Sequence, residues 1–282
     1  MKNKGIKIIA SLFFMIIILV AGCGKKNEEN KTNTDTPPET VTISGSTSVG
    51  PLIEKEAEKF KKENTGINVE INQIGSSAGI KDAINGTVEI GMSSRDLKEE
   101  EIAEGLVEVE VAFDGMAVIT SKNNKIDSLK LSDVKDIYTG KITNWKDVGG
   151  EDSQIVVVSR EDGSGTRDAF QEIVGFESEE LTGDAQISDG SGNIKTTVQG
   201  NENAIGYISF GYLDDSINSV KIDGVEPKEE NVYNDSYPIS RPFLLVTKGE
   251  AADDAKAFID YILSDDGQAT IEEEGFMSVN EK

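Results

Sequence analysis

The segment SREDGSGT at 159–166 places one arginine beside a cluster of glycines and hydroxyl side chains. An apolar run at 154–159 precedes it, and a helical pattern at 166–174 follows it. Arg160 carries a planar fork of N–H donors that can hold two oxygens of one anion. The glycines let the backbone approach a bound group, and a helix N-terminus adds unpaired N–H groups and partial positive charge. The segment therefore indicates an anion-binding loop between a strand and a helix.

Two earlier segments have the same character. GSTSVGP at 45–51 follows the apolar run 41–44, and GSSAG at 75–79 follows the run 67–72. Each combines glycine with hydroxyl side chains just before a helical pattern. A single loop of this kind could be ordinary helix capping. Because such loops converge beyond the carboxyl ends of strands in an open α/β sheet, three of them together with Arg160 favour a shared anion pocket.

The composition excludes several classes of partner. The chain has 28 Lys and Arg residues against 52 Asp and Glu residues, a formal net charge of −24. Without the leader lysines, Lys2, Lys4 and Lys7, the balance is 25 against 52, or −27. Such a charge argues against nucleic acid and anionic membrane surfaces as partners. With no histidine and one cysteine, we expect neither a metal nor a cofactor, and any anion site must work through short-range hydrogen bonds.

The N-terminus has the pattern of a secretory signal. A lysine-rich start at 1–7 leads into an apolar stretch at 8–20, shorter than the roughly 20 residues of a membrane-spanning helix. VAGC then ends on Cys23 and resembles a bacterial lipobox, which implies a signal peptide at 1–22 and a diacylglycerol on the Cys23 sulfur. The polar segment 23–40 is predicted to be a disordered tether. We expect a protein anchored by lipid to the outer face of the cytoplasmic membrane.

Strand and helix patterns alternate from Val41 onward, which favours an α/β fold with a mainly parallel sheet. The predicted strands are 41–44, 67–72, 88–94, 106–113, 116–121, 154–159 and 241–247. The predicted helices are 50–63, 78–84, 97–105, 131–140, 166–174, 251–263 and 265–273. The last two helices are placed after the final long strand and could return to the first part of the fold. Trp145, the one tryptophan, is interpreted as a core residue.

Four segments occur in an order and spacing that resemble a known family: GSTSVGP, GSSAGIKDAINGTVEIGMSSRDL, VVSREDGSGTRDAF and AIGYISFGY. The chain from Val41 resembles the phosphate-binding proteins of bacterial phosphate-specific ABC transporters, and REDGSGT is the most distinctive part. The resemblance implies a two-lobed periplasmic-binding-protein-like (type II) fold with two hinge crossovers. The implied lobes are 41–115 with 243–282, and 116–242. It also implies a monomer that is not an enzyme, binds inorganic phosphate in the interlobe cleft and delivers it to an ABC permease.

The resemblance also implies the residues of the site. The first lobe contributes Thr47 and Ser48 from one loop and Ser76 from the next. The second lobe contributes a set from one segment: Arg160, Ser164, Gly165 and Thr166. Asp162 is expected to orient the arginine.

The sequence departs from the family pattern after the third strand. The best-known members have an aspartate there that accepts a proton from phosphate and so rejects sulfate. Here Ser94 stands at that position and is expected to contact the ligand, and Arg95 beside it could add a second cation. Asp114, at the expected first crossover, is the proposed substitute acceptor, with Asp96 as the rival. Without any such carboxylate, selectivity for phosphate over sulfate loses its basis.

Three other interpretations remain open. GSSAG at 75–79 fits a nucleophile elbow around Ser77, which would make the protein a serine hydrolase, but without histidine no Ser-His-Asp relay can form. The same fold could instead bind another tetrahedral oxyanion, namely sulfate, molybdate or a phosphonate. A surface adhesin or sensor could also retain an anion site.

Overall fold

The computed structural model describes residues 39–281. The expected signal peptide at 1–22, the lipidated Cys23 and the tether up to residue 38 lie outside this range. Within it the strands are β1 Glu39–Gly45, β2 Ile67–Gln73, β3 Ile90–Ser93, β4 Leu106–Ser121, β5 Ser128–Leu129, β6 Val156–Arg160, β7 Gln186–Ser188, β8 Ala204–Ser209, β9 Ile217–Ser219, β10 Lys221–Ile222, β11 Ser240–Lys248 and β12 Met277–Ser278. The first strand therefore begins at Glu39, inside the segment predicted as tether.

The helices alternate with these strands as the sequence predicts. They are α1 Gly50–Glu63, α2 Ser76–Asn85, α3 Glu99–Ala103, α4 Leu131–Tyr138, α5 Gly165–Val174, α6 Ser191–Gln199, α7 Glu229–Tyr233, α8 Asp253–Ile262 and α9 Asp265–Glu273. Short 3-10 turns cover Trp145–Val148, Ser178–Glu180 and Phe210–Tyr212. None of the helices in the described range is both long and apolar enough to cross a lipid bilayer.

The main sheet has the strand order β2-β1-β3-β11-β4-β8-β6-β7. Strands β2, β1 and β3 pair in parallel at one end, and β8, β6 and β7 pair in parallel at the other. The sheet is nevertheless mixed, because β11 pairs antiparallel with β3 and β4, and β4 pairs antiparallel with β8. The two strands predicted at 106–113 and 116–121 are one continuous strand, β4.

Two large groups of buried apolar side chains divide the fold into two lobes. One group contains residues between Val41 and Ala112 together with residues between Phe243 and Phe276. The other contains residues between Met116 and Ile239, and Met277 joins it from the C-terminal strand. We call the part around the first group the first lobe and the part around the second group the second lobe. The two-lobed α/β prediction is confirmed.

Two strands run side by side where the chain passes between the lobes. β4 pairs with β11 up to Gly115 and with β8 from Met116, so it leaves the first lobe and enters the second. β11 returns beside it, with Ser240 opposite Gly115 and Arg241 opposite Asp114. These are the two crossovers that the family resemblance implies. Their adjacency means that one cross-strand pair can hold both together.

The first lobe is completed by the C-terminal helices α8 and α9. Phe258 of α8 packs edge-on against Phe60 of α1, with ring centroids 5.2 Å apart. Burial of each such ring contributes about 1.5–3 kcal/mol. In the second lobe Trp145 is buried and donates its indole N–H to the Asn203 carbonyl at 3.0 Å. Helices α8 and α9 thus pack with the first lobe, and the prediction that Trp145 is a core residue is confirmed.

Glu56 is a buried carboxyl on the core side of α1. It has no exposed surface, and neither of its oxygens has a hydrogen-bond partner among residues 39–281. Burial raises the pKa of Glu56 from 4.5 to about 8, with Lys59 opposing the shift and Glu274 adding to it. The side chain is therefore mainly protonated at neutral pH.

Glu56 should make the stability of the first lobe depend on pH. The pKa of Glu56 is about 8 in the folded protein and near its ordinary 4.5 in the unfolded chain. The contribution of Glu56 to the free energy of unfolding is therefore complete below pH 4.5 and is lost as the pH rises to 8. The slope in that window is about 1.4 kcal/mol per pH unit. We expect the free energy of unfolding of the parent to fall relative to Glu56→Gln between pH 5 and pH 8. Urea unfolding of the parent and of Glu56→Gln measures this free energy at each pH. Parallel pH profiles of the free energy of unfolding for the two proteins would contradict the prediction.

Candidate functional site

The three loops predicted from the sequence meet between the lobes. Ser48 of the first loop lies with its Oγ 2.8 Å from Thr166 Oγ1 in the second lobe. In the first lobe, Ser76 Oγ lies 3.3 Å from Ser94 Oγ, and Ser46 Oγ donates to Ser94 Oγ at 2.9 Å. All of these side chains are buried. The Ser48 N–H also donates to Ser46 Oγ at 3.2 Å, so hydroxyl groups from both lobes form one connected, buried cluster.

Glycine in GSGT permits close contact between the lobes. A β-carbon on Gly165 would lie 2.3 Å from Ser76 Oγ and 2.9 Å from Ser94 Oγ, so any other residue would displace these serines. Gly163 has a φ of +83°, and its carbonyl accepts the Ser77 N–H at 3.1 Å. The glycines bring the N-terminus of α5 directly against the hydroxyl loops of the first lobe.

Arg160 supplies the positive charge of the cluster. Its side chain is 1% exposed, and it donates from Nη2 to Thr47 Oγ1 at 3.0 Å and from Nη1 to Ser191 Oγ at 3.1 Å. Two further N–H groups bind both oxygens of Glu161 at 2.7 Å. Burial alone would raise the pKa of Glu161, but the Arg160 guanidinium holds it below its usual value. The guanidinium is thus fixed by a carboxylate on one edge and faces hydroxyls on the other.

The prediction that Asp162 orients Arg160 is wrong in this structure. Asp162 binds Arg167 at 2.6 Å, and its side chain is 97% exposed. Glu161, the residue next to Arg160, holds the guanidinium instead. The turn directs Asp162 outward toward the first turn of α5, whereas the longer Glu161 side chain reaches back over the arginine.

Asp114 does not have a carboxylate oxygen available to accept a proton from a ligand. Its Oδ2 accepts from Arg241 Nη2 at 2.8 Å and from Arg241 Nε at 3.1 Å. Its Oδ1 accepts from Ser209 Oγ at 2.8 Å and from the Phe210 N–H at 3.2 Å. Burial raises the pKa of Asp114 and the Arg241 charge opposes this, while four donors fit only the ionised carboxylate. The predicted acceptor is part of a buried ion pair between the crossovers.

Arg95 and Asp96 also differ from their predicted roles. Arg95 donates from Nε to Asp168 at 3.0 Å, from Nη1 to the Asp96 carbonyl and Glu101, and from Nη2 to Glu101 and Ser77 Oγ. These bonds use all five N–H groups of a guanidinium, so Arg95 has none left for an anion. The Asp96 side chain is exposed and lines an outer groove. Arg95 is therefore not a second ligand cation, and Asp96 does not replace Asp114.

The remaining predicted residues lie together as expected. The cluster described above contains Thr47, Ser48, Ser76, Ser94, Arg160, Gly165 and Thr166. Ser164 is the buried N-cap of α5, where its Oγ accepts the Arg167 N–H at 3.3 Å. The contribution of each residue to ligand binding stays a prediction.

Sequence reasoning missed several members of the cluster. Ser191, at the start of α6, lies with its Oγ 2.9 Å from Ser48 Oγ and also binds Arg160. The Tyr212 hydroxyl donates to the Thr47 carbonyl at 2.9 Å, which is a further link between the lobes. The segment SDGSGN at 188–193 has the same glycine and hydroxyl pattern as the other loops, so Ser191 could have been found. Tyr212 carried no such signal.

The surroundings of Ser77 do not resemble those of a catalytic serine. Its Oγ accepts a long hydrogen bond from Arg95 Nη2 at 3.4 Å, and its backbone N–H donates to Gly163. A neighbouring guanidinium is a donor and not a general base. The chain has no histidine, and no group of three or more Asp, Glu or Cys residues that could hold a metal occurs between residues 39 and 281.

Comparison with known proteins agrees with this geometry. The model of the PBP superfamily domain matches residues 30–266. The phosphate-binding protein PstS of Bacillus subtilis is 36% identical over 99% of this chain and 95% of its own length. A phosphate ABC transporter substrate-binding protein from Clostridium perfringens, solved with bound phosphate, is 64% identical, with a TM-score of 0.84 over 86% of this chain and all of that chain. An ABC-type phosphate transport receptor from Vibrio cholerae is 34% identical, with a TM-score of 0.74 over 85% of this chain and all of that chain.

The likeness to the Bacillus subtilis protein extends along nearly the whole sequence. The chain belongs to the PBP superfamily and, within it, to the family of PstS phosphate-binding proteins.

Proposed function

We propose that this protein binds inorganic phosphate in the cleft between its lobes and delivers it to the membrane permease of an ABC transporter. The observation that carries the proposal is the meeting of hydroxyl loops from the first lobe with Arg160 and the N-terminus of α5 from the second. The relatives with this fold are named as phosphate-binding transport proteins. We infer that the chain acts as a binding protein and catalyses no reaction.

The cluster suits a small tetrahedral oxyanion for chemical reasons. The guanidinium of Arg160 and the hydroxyls of Thr47, Ser48 and Thr166 are short-range donors, and the α5 N-terminus adds backbone N–H groups. Such donors can bind an anion inside a protein whose net charge is −24, because buried hydrogen bonds are screened much less than surface charges. Serine and threonine hydroxyls also accept hydrogen bonds. They can therefore accept the hydrogen bond from the P–OH group of hydrogen phosphate where no carboxylate does.

A second tetrahedral oxyanion is the alternative ligand. The observation that favours it is the pairing of Asp114 with Arg241, which removes the carboxylate expected to reject sulfate. Calorimetric titration of the delipidated protein with phosphate, sulfate and molybdate at pH 6 and pH 8 tests both ligands. We expect phosphate to bind most tightly. If sulfate or molybdate binds more tightly than phosphate, that anion is the ligand instead. If none of the three anions gives a heat of binding, the proposed site is contradicted.

The lobe boundaries support a hinge mechanism. We propose lobes at 41–115 with 243–282 and at 116–242, because the buried apolar groups separate near these positions. Among residues 39–281, only β4 and β11 connect the two groups along the main sheet. Rotation about a few residues of the two crossovers would open and close the cleft without refolding either lobe. The protein is proposed to act as a monomer.

The location proposed is the outer face of the cytoplasmic membrane, with a lipid on Cys23 as the anchor. The lipobox at the end of the leader supports it, and a lipoprotein anchor with several acyl chains holds far better than one chain. Cys23→Ser should move the protein from the membrane fraction to the soluble fraction of the producing cell. An unchanged membrane fraction would argue against the lipid anchor.

A further inference from the structure

Arg95 joins the two ligand-binding segments that face each other across the cleft. It directly follows Ser94 of the first-lobe cluster. Its Nε donates at 3.0 Å to Asp168, which lies in the first turn of α5 in the second lobe. Arg95 is only 4% exposed. The ion pair therefore connects the lobes directly beside the proposed phosphate site without using a residue of that site.

The rest of the Arg95 environment fixes the guanidinium for this contact. Glu101 binds Nη1 and Nη2 at 2.8 and 2.9 Å from within the first lobe, and its Oε2 also accepts the Lys98 N–H. Although burial alone would lower the pKa of Arg95, its pairs with Glu101 and Asp168 raise it. The arginine stays charged and stays oriented whether or not Asp168 is in place. Only the bond to Asp168 depends on the second lobe.

We infer that Arg95 and Asp168 form a latch between the lobes, which stabilises the closed form and slows the release of the bound anion. The inference rests on the proposed function. An interaction present only in the closed form adds its full free energy to that form and so to the apparent affinity for a ligand enclosed by closure. Because the latch breaks on opening, its loss should appear in the dissociation rate more than in the association rate.

The latch is also accessible to salt. Asp168 is 26% exposed, and a groove of about 590 Å³ lined by residues of both lobes, including Lys98 and Phe176, runs beside it. Ions in this groove would screen the Arg95–Asp168 attraction, since the Debye length falls from about 8 Å at 0.15 M to about 3 Å at 1 M salt. The effect of the latch should shrink at high ionic strength.

The test compares Asp168→Asn with Glu172→Gln. Both remove one negative charge from α5, but Glu172 makes no ion pair with another residue of the described range. Stopped-flow release of phosphate is measured for the parent and both variants in 0.15 M and 1 M NaCl, alongside ligand-free thermal unfolding. We expect Asp168→Asn to release phosphate about 3- to 10-fold faster at 0.15 M, with the difference reduced at 1 M. Glu172→Gln should match the parent, and Asp168→Glu should recover part of the slow release.

Release at the parent's rate from Asp168→Asn would overturn the latch, and so would an equal acceleration in Glu172→Gln. A lower unfolding temperature without faster release would also overturn it, since that is a purely structural role. If the parent itself binds no phosphate, the proposed function fails. The latch is then judged by X-ray scattering, where a radius of gyration larger in Asp168→Asn than in Glu172→Gln supports it and equal values overturn it.

Discussion

Arg160→Ala is expected to weaken phosphate binding by about 10²- to 10⁴-fold, which corresponds to the 3–5 kcal/mol typical of a lost partner in a buried charge pair. The guanidinium is 1% exposed and contacts hydroxyls from both sides of the cleft, Thr47 and Ser191. Its loss also leaves Glu161 without its cation beside the anion. The remaining carboxylate would then repel phosphate. Isothermal titration calorimetry measures the loss.

The double variant Arg160→Ala/Glu161→Gln separates the two parts of this effect. If repulsion by Glu161 contributes, the double variant should bind phosphate more tightly than Arg160→Ala and more weakly than the parent. Arg160→Lys retains the charge but not the planar fork, so it should lie between the parent and the alanine variant. Ligand-free thermal unfolding serves as the control for folding. Binding by Arg160→Ala at the parent's affinity would remove Arg160 from the site.

The convergence of the loops could be predicted because its causes are local. A strand that ends in glycine and hydroxyl residues before a helix places them at one edge of the sheet, and this occurs three times before Thr166. Helix α1 begins and ends where its apolar spacing predicts, with Pro51 in its first turn and Lys61 and Lys62 in its last. The same local pattern of glycine and hydroxyl residues at 188–193 would also place Ser191 in the cluster.

The partners of the charged side chains could not be predicted because they depend on contacts between distant segments. Asp114 meets Arg241 only because β4 and β11 pair in a particular register. Arg95 meets Asp168 only because the two lobes close on each other. Apolar runs likewise do not tell parallel from antiparallel neighbours, so they do not give the antiparallel pairing of β11 and β4. The partner of a charged residue in a binding loop is therefore harder to predict from sequence than the position of a glycine or a hydroxyl side chain.

Losing one partner of the Asp114–Arg241 pair should strongly destabilise the crossovers, because the other charge would stay buried. Both side chains are at most 1% exposed, and the pair joins adjacent strands at 2.8 Å. Asp114 also binds Ser209 and Phe210 of the second lobe, and Arg241 donates to the Ser94 carbonyl in the first. One buried pair thus ties both crossovers and both lobes together.

Asp114→Asn leaves Arg241 as a buried cation without a carboxylate, and we expect this to cost about 3–5 kcal/mol of unfolding free energy. For a protein of this size that is a fall of roughly 6–20 °C in Tm, measured by calorimetry without ligand. Asp114→Leu/Arg241→Met removes both charges and should recover much of the loss, since no charge is left buried.

The ratio of phosphate affinity to sulfate affinity should be the same in Asp114→Asn as in the parent. In the parent, the Asp114 carboxylate already accepts four hydrogen bonds from protein groups and so has no oxygen left for the ligand. A collapse of that ratio with little change in Tm would mean that Asp114 accepts the ligand proton after all.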